Sequence, residues 1–191
     1  MKKIVFTVIS LMCVALSAAA QTPTADEVLN TTRRANDYFM RKYEDPTVPT
    51  NWKRVRPSSL WTRAVYYEGL MALNAIDPQQ RYLDYTQKWS DFHKWTPRNG
   101  TKTTDADDQC CAQTYIELNQ LTGKGSLEKV KENLGKQMDS ERVNYWTWID
   151  AIQMAMPVYV KMYAITGDDD YLEYAMDSYE WSRDKCGGGL F

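Results

Sequence analysis

Three carboxylates stand where the sequence could use them: Asp107 and Asp108, adjacent in Ala106-Asp-Asp-Gln-Cys110, and Asp150, which follows Trp146, Trp148 and Ile149. Asp150 opens a segment that stays apolar to Ile165, interrupted mainly by Gln153 and Lys161. A helix apolar all round is buried. An acid at its mouth, expected among Trp146, Trp148, Met154 and Met156, is therefore either satisfied by backbone amides or kept for chemistry. Carboxyl groups give and take protons, and tryptophan faces suit sugar rings. The structural alternative is that Asp107, Asp108 or Asp150 is a helix N-cap, worth about 1 kcal/mol. His93 is the single histidine, reads as a solvated helix position, and no cysteines have Cys-x-x-Cys spacing. No metal site and no cofactor are expected.

The elements that position these residues begin after a leader. Lys2 and Lys3, an apolar run from Ile4 to Leu16 and the small residues Ser17 to Ala20 form the pattern of a secretory signal peptide over residues 1–20. The mature chain, residues 21–191, is then expected to be periplasmic or secreted, with no membrane association after cleavage. Losing Lys2 and Lys3 leaves 21 of the 23 basic residues against 25 acidic ones, a net charge of −4 that gives no footprint for nucleic acid or an anionic membrane. Cys110, Cys111 and Cys186 permit at most one disulfide.

Along the mature chain the pattern is helical. Thr24-Ala-Asp-Glu27 is a capping box that starts a helix running to about Tyr43. Pro46, Pro49 and Pro57 keep the next stretch extended. Inner, mostly apolar helices are expected near 61–75, 108–121 and 150–165, and amphipathic outer ones near 81–94, 126–139 and 168–185. Pro157 should kink the last inner helix. Ile76, Leu121 and Ile165 recur before matching tight turns at intervals of 45 and 44 residues. Such a period excludes the shorter tetratricopeptide and ankyrin repeats and leaves longer helical hairpins. The fold class is all-α, an α/α toroid, with an α-solenoid as the alternative. Short inner-to-outer turns and long outer-to-inner returns gather the elaborate loops where inner helices begin, a ring of N-termini suited to an anionic ligand.

Trp148-Ile-Asp-Ala-Ile-Gln-Met-Ala-Met-Pro157, the Ile165-Thr-Gly-Asp turn with Tyr171, and Ala106-Asp-Asp-Gln-Cys110 resemble the unsaturated rhamnogalacturonyl hydrolases and unsaturated glucuronyl hydrolases, glycoside hydrolase families 105 and 88. The resemblance runs from about Trp61 to the end. It implies a six-hairpin toroid with its key carboxylates at the starts of inner helices, places that Asp150 and Asp108 match, Asp107 competing with Asp108. Trp61, Tyr66 or Tyr67 would correspond to an aromatic platform for the sugar, beside Trp146 and Trp148. The reaction implied is hydration of the C4–C5 double bond of an unsaturated uronyl oligosaccharide, left by a polysaccharide lyase acting on pectin or a glycosaminoglycan. About three 45-residue hairpins make about half of such a ring, an incomplete toroid domain. The alternative function is a non-catalytic helical-repeat module that binds a glycan or a protein.

Overall fold

The computed structural model describes residues 22–187; the expected signal peptide lies outside the described residues. The chain divides into two compact units after Arg41. The first holds all but the last residue of helix α1, Ala25–Lys42. Its start is the capping box read from the sequence: the Glu27 amide donates to Thr24 Oγ1 (3.2 Å) and the Thr24 amide donates to Glu27 Oε2 (2.8 Å). The amide and hydroxyl of Thr24 hold the Glu27 carboxyl below its ordinary range.

The second unit opens with a two-stranded antiparallel hairpin, β1 (Thr50–Trp52) and β2 (Arg54–Arg56), turning at Lys53 with φ 57°. Of the proline-rich stretch, the part between Pro49 and Pro57 is extended, as expected, and also paired, which proline spacing alone did not indicate; residues 43–48, around Pro46, form turns and bends instead. Helices follow as α2 (Trp61–Ile76), α3 (Gln80–Phe92), α4 (Ala106–Thr122), α5 (Glu128–Met138), the short α6 (Ala151–Met154), α7 (Met156–Thr166) and α8 (Asp170–Cys186). The architecture is all-α, of the α/α-toroid class, with inner and outer helices in alternation.

Burial separates the two kinds. Eleven of the seventeen residues of α4 are buried, among them Cys110, Cys111, Ala112, Tyr115, Ile116 and Leu118, whereas α5 buries four of eleven. The inner helix α4 packs against α2 on one side and against α6 and α7 on the other, and α8 covers α7. Between inner and outer layers lies an aromatic core in which Tyr67 stacks on Trp89 at 3.9 Å and Trp89 lies 5.2 Å from Tyr115. Burying each such ring contributes about 2–3 kcal/mol. On the third inner helix Val160 remains 40% exposed. Met71, Ala72, Ile116, Leu121, Ala164 and Ile165 line a largely apolar groove of about 430 Å³ along α2, α4 and α7.

Two turns repeat atom for atom. Thr122 Oγ1 donates to the Leu118 carbonyl (2.7 Å) and accepts from the Lys124 amide (3.2 Å); Thr166 does the same with Met162 (2.8 Å) and Asp168 (3.2 Å). Gly123 and Gly167 then take left-handed φ values of 66° and 69° that a side chain would strain. The first turn lacks Thr-Gly and uses Asn74 Oδ1 instead, which accepts from the Gln79 amide (3.1 Å).

The inner helix that the sequence reads as one element from Asp150 to Ile165 is two. Proline 157 has no N–H to give to the Gln153 carbonyl, and the helix breaks at Ala155, with φ −104° and ψ −44°. Asp150 consequently caps a helix of only four residues.

Candidate functional site

The starts of α2, α4 and α6 come together around a cleft of about 430 Å³ lined by Trp61, Thr104, Asp105, Ala106, Asp107, Tyr145, Thr147, Trp148, Asp150 and Ala151. Of the residues singled out in the sequence, the structure thus brings Asp107, Asp150, Trp61 and Trp148 into one concavity. Tyr145, Thr147, Thr104 and Asp105 had no sequence signal that set them apart.

The N-cap of α4 is Asp105, two residues before Asp107 and three before Asp108: its Oδ1 accepts from the Asp107 amide (3.0 Å). Asp107 and Asp108 therefore lie inside the first helical turn and point differently. Asp107 is left partly open to the cleft. Burial pushes its carboxyl above the ordinary range, and the negative charges of Asp105 and Asp150 push the same way.

Asp108 corrects the expectation that it pairs with Asp150 at the reacting centre. It is 1% exposed and does not line the cleft. Its carboxylate is ion-paired with Arg98 and accepts from Thr103 Oγ1 (2.5 Å) and Asn99 Nδ2 (3.0 Å), while its backbone carbonyl accepts from the Arg98 amide (3.0 Å). Burial raises its pKa against the downward pull of Thr103, Arg98 and Asn99. These contacts make Asp108 the anchor of the loop between α3 and α4.

That loop is held from several sides. Lys94, Trp95 and Asn99 have positive φ values of 55°, 54° and 64°. Asn133 Nδ2 donates to the Thr103 carbonyl (2.7 Å), and Gln137 Nε2 donates to the same oxygen (3.2 Å). Trp95 is 5% exposed, and its Nε1 donates to Asp91 Oδ1 (2.8 Å). Gly125, at φ 78°, passes so close to it that a Cβ there would lie 2.1 Å from the indole ring.

Asp150 also departs from expectation. It is exposed, and its side chain makes no capping hydrogen bond. Of its aromatic neighbours, Trp148 is 77% exposed on the cleft wall, whereas Trp146 is fully buried, 6.1 Å from the ring of Tyr159. Trp146 is turned into the core while residues 147–150 are all exposed, so position in the loop, not proximity in sequence, decides which tryptophan can meet a ligand. The thiol of Cys186 donates to the Thr147 carbonyl (3.2 Å) behind this loop.

Tyr66 and Tyr67 do not line the cleft. Tyr67 is fully buried in the stack on Trp89, and Tyr66 meets it edge-on at 5.1 Å. They belong to the core because a helix places residues 66 and 67 on a different face from Trp61. His93 is half-buried, within 2.7 Å of Ser58 Oγ, where burial first and Arg63 second lower its pKa to about 4. The solvated position expected for it is corrected accordingly. Among the described residues no cluster of three or more His, Cys, Asp or Glu side chains is arranged to hold a metal ion. None of the described helices is long and apolar enough to cross a membrane.

Comparison with known proteins places these features. The profile of glycosyl hydrolase family 88 matches residues 31–186. A solved structure described as a glycosyl hydrolase family 88 protein from Bacteroides vulgatus is 29% identical, with a TM-score of 0.74 over 85% of this chain and 48% of that one. A protein named as a polysaccharide lyase shares the fold at 24% identity and a TM-score of 0.73, over 83% of this chain and 46% of its own. The chain spans about half the length of both. No curated protein matches it.

Proposed function

Since the chain belongs to glycosyl hydrolase family 88, we propose that its cleft acts on an unsaturated uronyl oligosaccharide by adding water across the C4–C5 double bond. The observation that carries this reading is the meeting of Asp107 and Asp150 in one cleft with Trp61 and Trp148. Asp107, biased toward its protonated form by burial and by the charges of Asp105 and Asp150, delivers the proton to C4. Asp150, open to solvent, takes a proton from the water that adds to C5. The product is a hemiketal, which opens to a ketone and releases the remaining sugar. Proton exchange with solvent then returns both carboxyls to their starting state. Exposed Trp148 and the half-buried Trp61 supply apolar faces for the sugar ring. We assign the chain, on its N-terminal pattern, to the exported enzymes.

The two carboxyls here act on one double bond. That differs from the arrangement in which a pair flanks a glycosidic bond and its separation sets the stereochemistry. The test is Asp150→Asn, assayed by loss of the ultraviolet absorbance of the conjugated uronate. Turnover should fall about 100-fold or more because an amide does not exchange the proton. A folded variant with the wild-type rate sinks the reading. Tight binding of the oligosaccharide with no turnover by the unmodified protein would make the chain a glycan-binding module instead.

A further inference from the structure

We propose that Gln113, on the neighbouring inner helix, is a positioning residue for Asp150, its side-chain amide holding the short turn that Asp150 opens. The inference rests on the reading that Asp150 acts on substrate.

The break at Pro157 creates the need. Position 157 has no backbone donor for the Gln153 carbonyl. The Val158 amide turns to the Ala155 carbonyl (2.9 Å), so the Met154 carbonyl also loses its helical partner. Two buried-side carbonyls left unpaired at the end of a four-residue helix would be expensive. Gln113 meets both: its Nε2 donates to the Gln153 carbonyl (2.8 Å) and to the Met154 carbonyl (3.2 Å).

The clamp is itself fixed. Gln113 is 4% exposed, and its Oε1 accepts from Lys161 Nζ (3.3 Å), which is ion-paired with Glu117 (2.7 Å). The oxygen end faces a cation and the nitrogen end faces two carbonyls, so the amide has one favourable orientation. On the other side of the turn, Gln153 Nε2 donates to Glu68 Oε2 (2.8 Å) on α2.

The link to Asp150 is direct in the backbone. The amides of Gln153 (2.9 Å) and Met154 (3.0 Å) donate to the Asp150 carbonyl. The two residues whose carbonyls Gln113 grips are therefore the two that hold the Asp150 main chain. Asp150 has no cap bond of its own, and this grip substitutes for one. A helix of four residues does not hold itself in place.

Hydrogen exchange and kinetics test the idea on the full chain. Gln113→Leu should speed amide exchange across residues 150–155 by about tenfold or more while α8 keeps its protection. It should lower kcat about tenfold with KM changed less than about twofold. In an Asp150→Asn background the same substitution should have no further effect on kcat, because it acts through a group already lost. Adding Pro157→Ala returns a backbone N–H to the Gln153 carbonyl and should restore both protection and kcat; it also provides a folded variant if Gln113→Leu alone does not fold. Unchanged exchange in Gln113→Leu, or no recovery with Pro157→Ala, overturns the clamp. A wild-type kcat, or a loss that adds fully to that of Asp150→Asn, overturns its role in positioning Asp150. If Asp150→Asn alone turns over like wild type, the functional reading fails, and the exchange result separates that failure from failure of the clamp.

Discussion

Replacing each member of the Asp107–Asp108 pair by asparagine should separate a structural carboxylate from a reacting one. Asp108 has Arg98 on one oxygen and Thr103 and Asn99 on the other, with its side chain 2% exposed and that of Arg98 22%. Asparagine keeps the shape but leaves the guanidinium without its counter-charge. Breaking a fully buried pair costs about 3–5 kcal/mol. Arg98 still touches water, which lowers the expected loss for Asp108→Asn to about 2–3 kcal/mol. At about 2–4 °C per kcal/mol for a domain of this size, Tm should drop by roughly 5–10 °C. Turnover measured well below the melt should follow only the folded fraction. Asp107→Asn should behave oppositely: it removes repulsion with Asp105 and Asp150, so Tm should hold or rise slightly, while kcat falls about 100-fold. Thermal melts and the absorbance assay on both variants give the answer. If Asp108→Asn melts like wild type and loses turnover, or Asp107→Asn keeps its rate, the assignment of the two carboxylates is reversed.

Other substitutions probe the frame and the cleft wall. Gly125→Ala places a Cβ 2.1 Å from the Trp95 ring at a backbone of φ 78°, and should cost about 3 kcal/mol in urea unfolding; a wild-type midpoint would show that the loop carrying Arg98 moves freely. Trp148→Ala, at a side chain 77% exposed, should leave Tm unchanged and raise KM about tenfold, and an unchanged KM would remove Trp148 from the sugar contacts. His93 has a folded pKa of about 4 against an ordinary 6.5, so the unfolded chain takes up the proton first as pH falls. Stability should therefore decline from about pH 6.5 and level off below about pH 4, by on the order of 1–2 kcal/mol once partial exposure is allowed for. Unfolding midpoints at pH 7, 5 and 4 should show this loss in wild type, and its persistence in His93→Gln would assign it elsewhere.

Helices were legible wherever a local rule fixed them. Thr24 and Glu27 announce their reciprocal cap, and Thr-Gly at 122–123 and 166–167 announces a left-handed exit whose hydrogen bonds are the same in both copies. The three inner helices begin at Trp61, Ala106 and Ala151, at intervals of 45 residues, close to the spacing read from the turns. The choice among Asp105, Asp107 and Asp108 was not legible. All three are the same residue type within one turn, and what sorts them is the path of the preceding loop, set by positive φ at Trp95 and Asn99 and by Asn133 and Gln137 far along the chain. The hairpin at 50–56 escaped for lack of alternation across so few residues. Pro157 signalled a break in the sequence, but Gln113, which answers it, lies more than forty residues away.

The residue just before each inner helix is Leu60, Asp105 or Asp150. Only Asp105 uses its side chain to hold its helix; Leu60 and Asp150 make no such bond. Position 105 therefore serves folding through its side-chain cap and position 60 serves it as a buried apolar residue, whereas the carboxylate at 150 is not engaged in holding its helix. A repeated fold of this kind lets the same place in each unit be given to a different task. The three equivalent places thus divide between core, cap and cleft, and the acid at 150 is open to a ligand because no backbone amide of its helix engages its side chain.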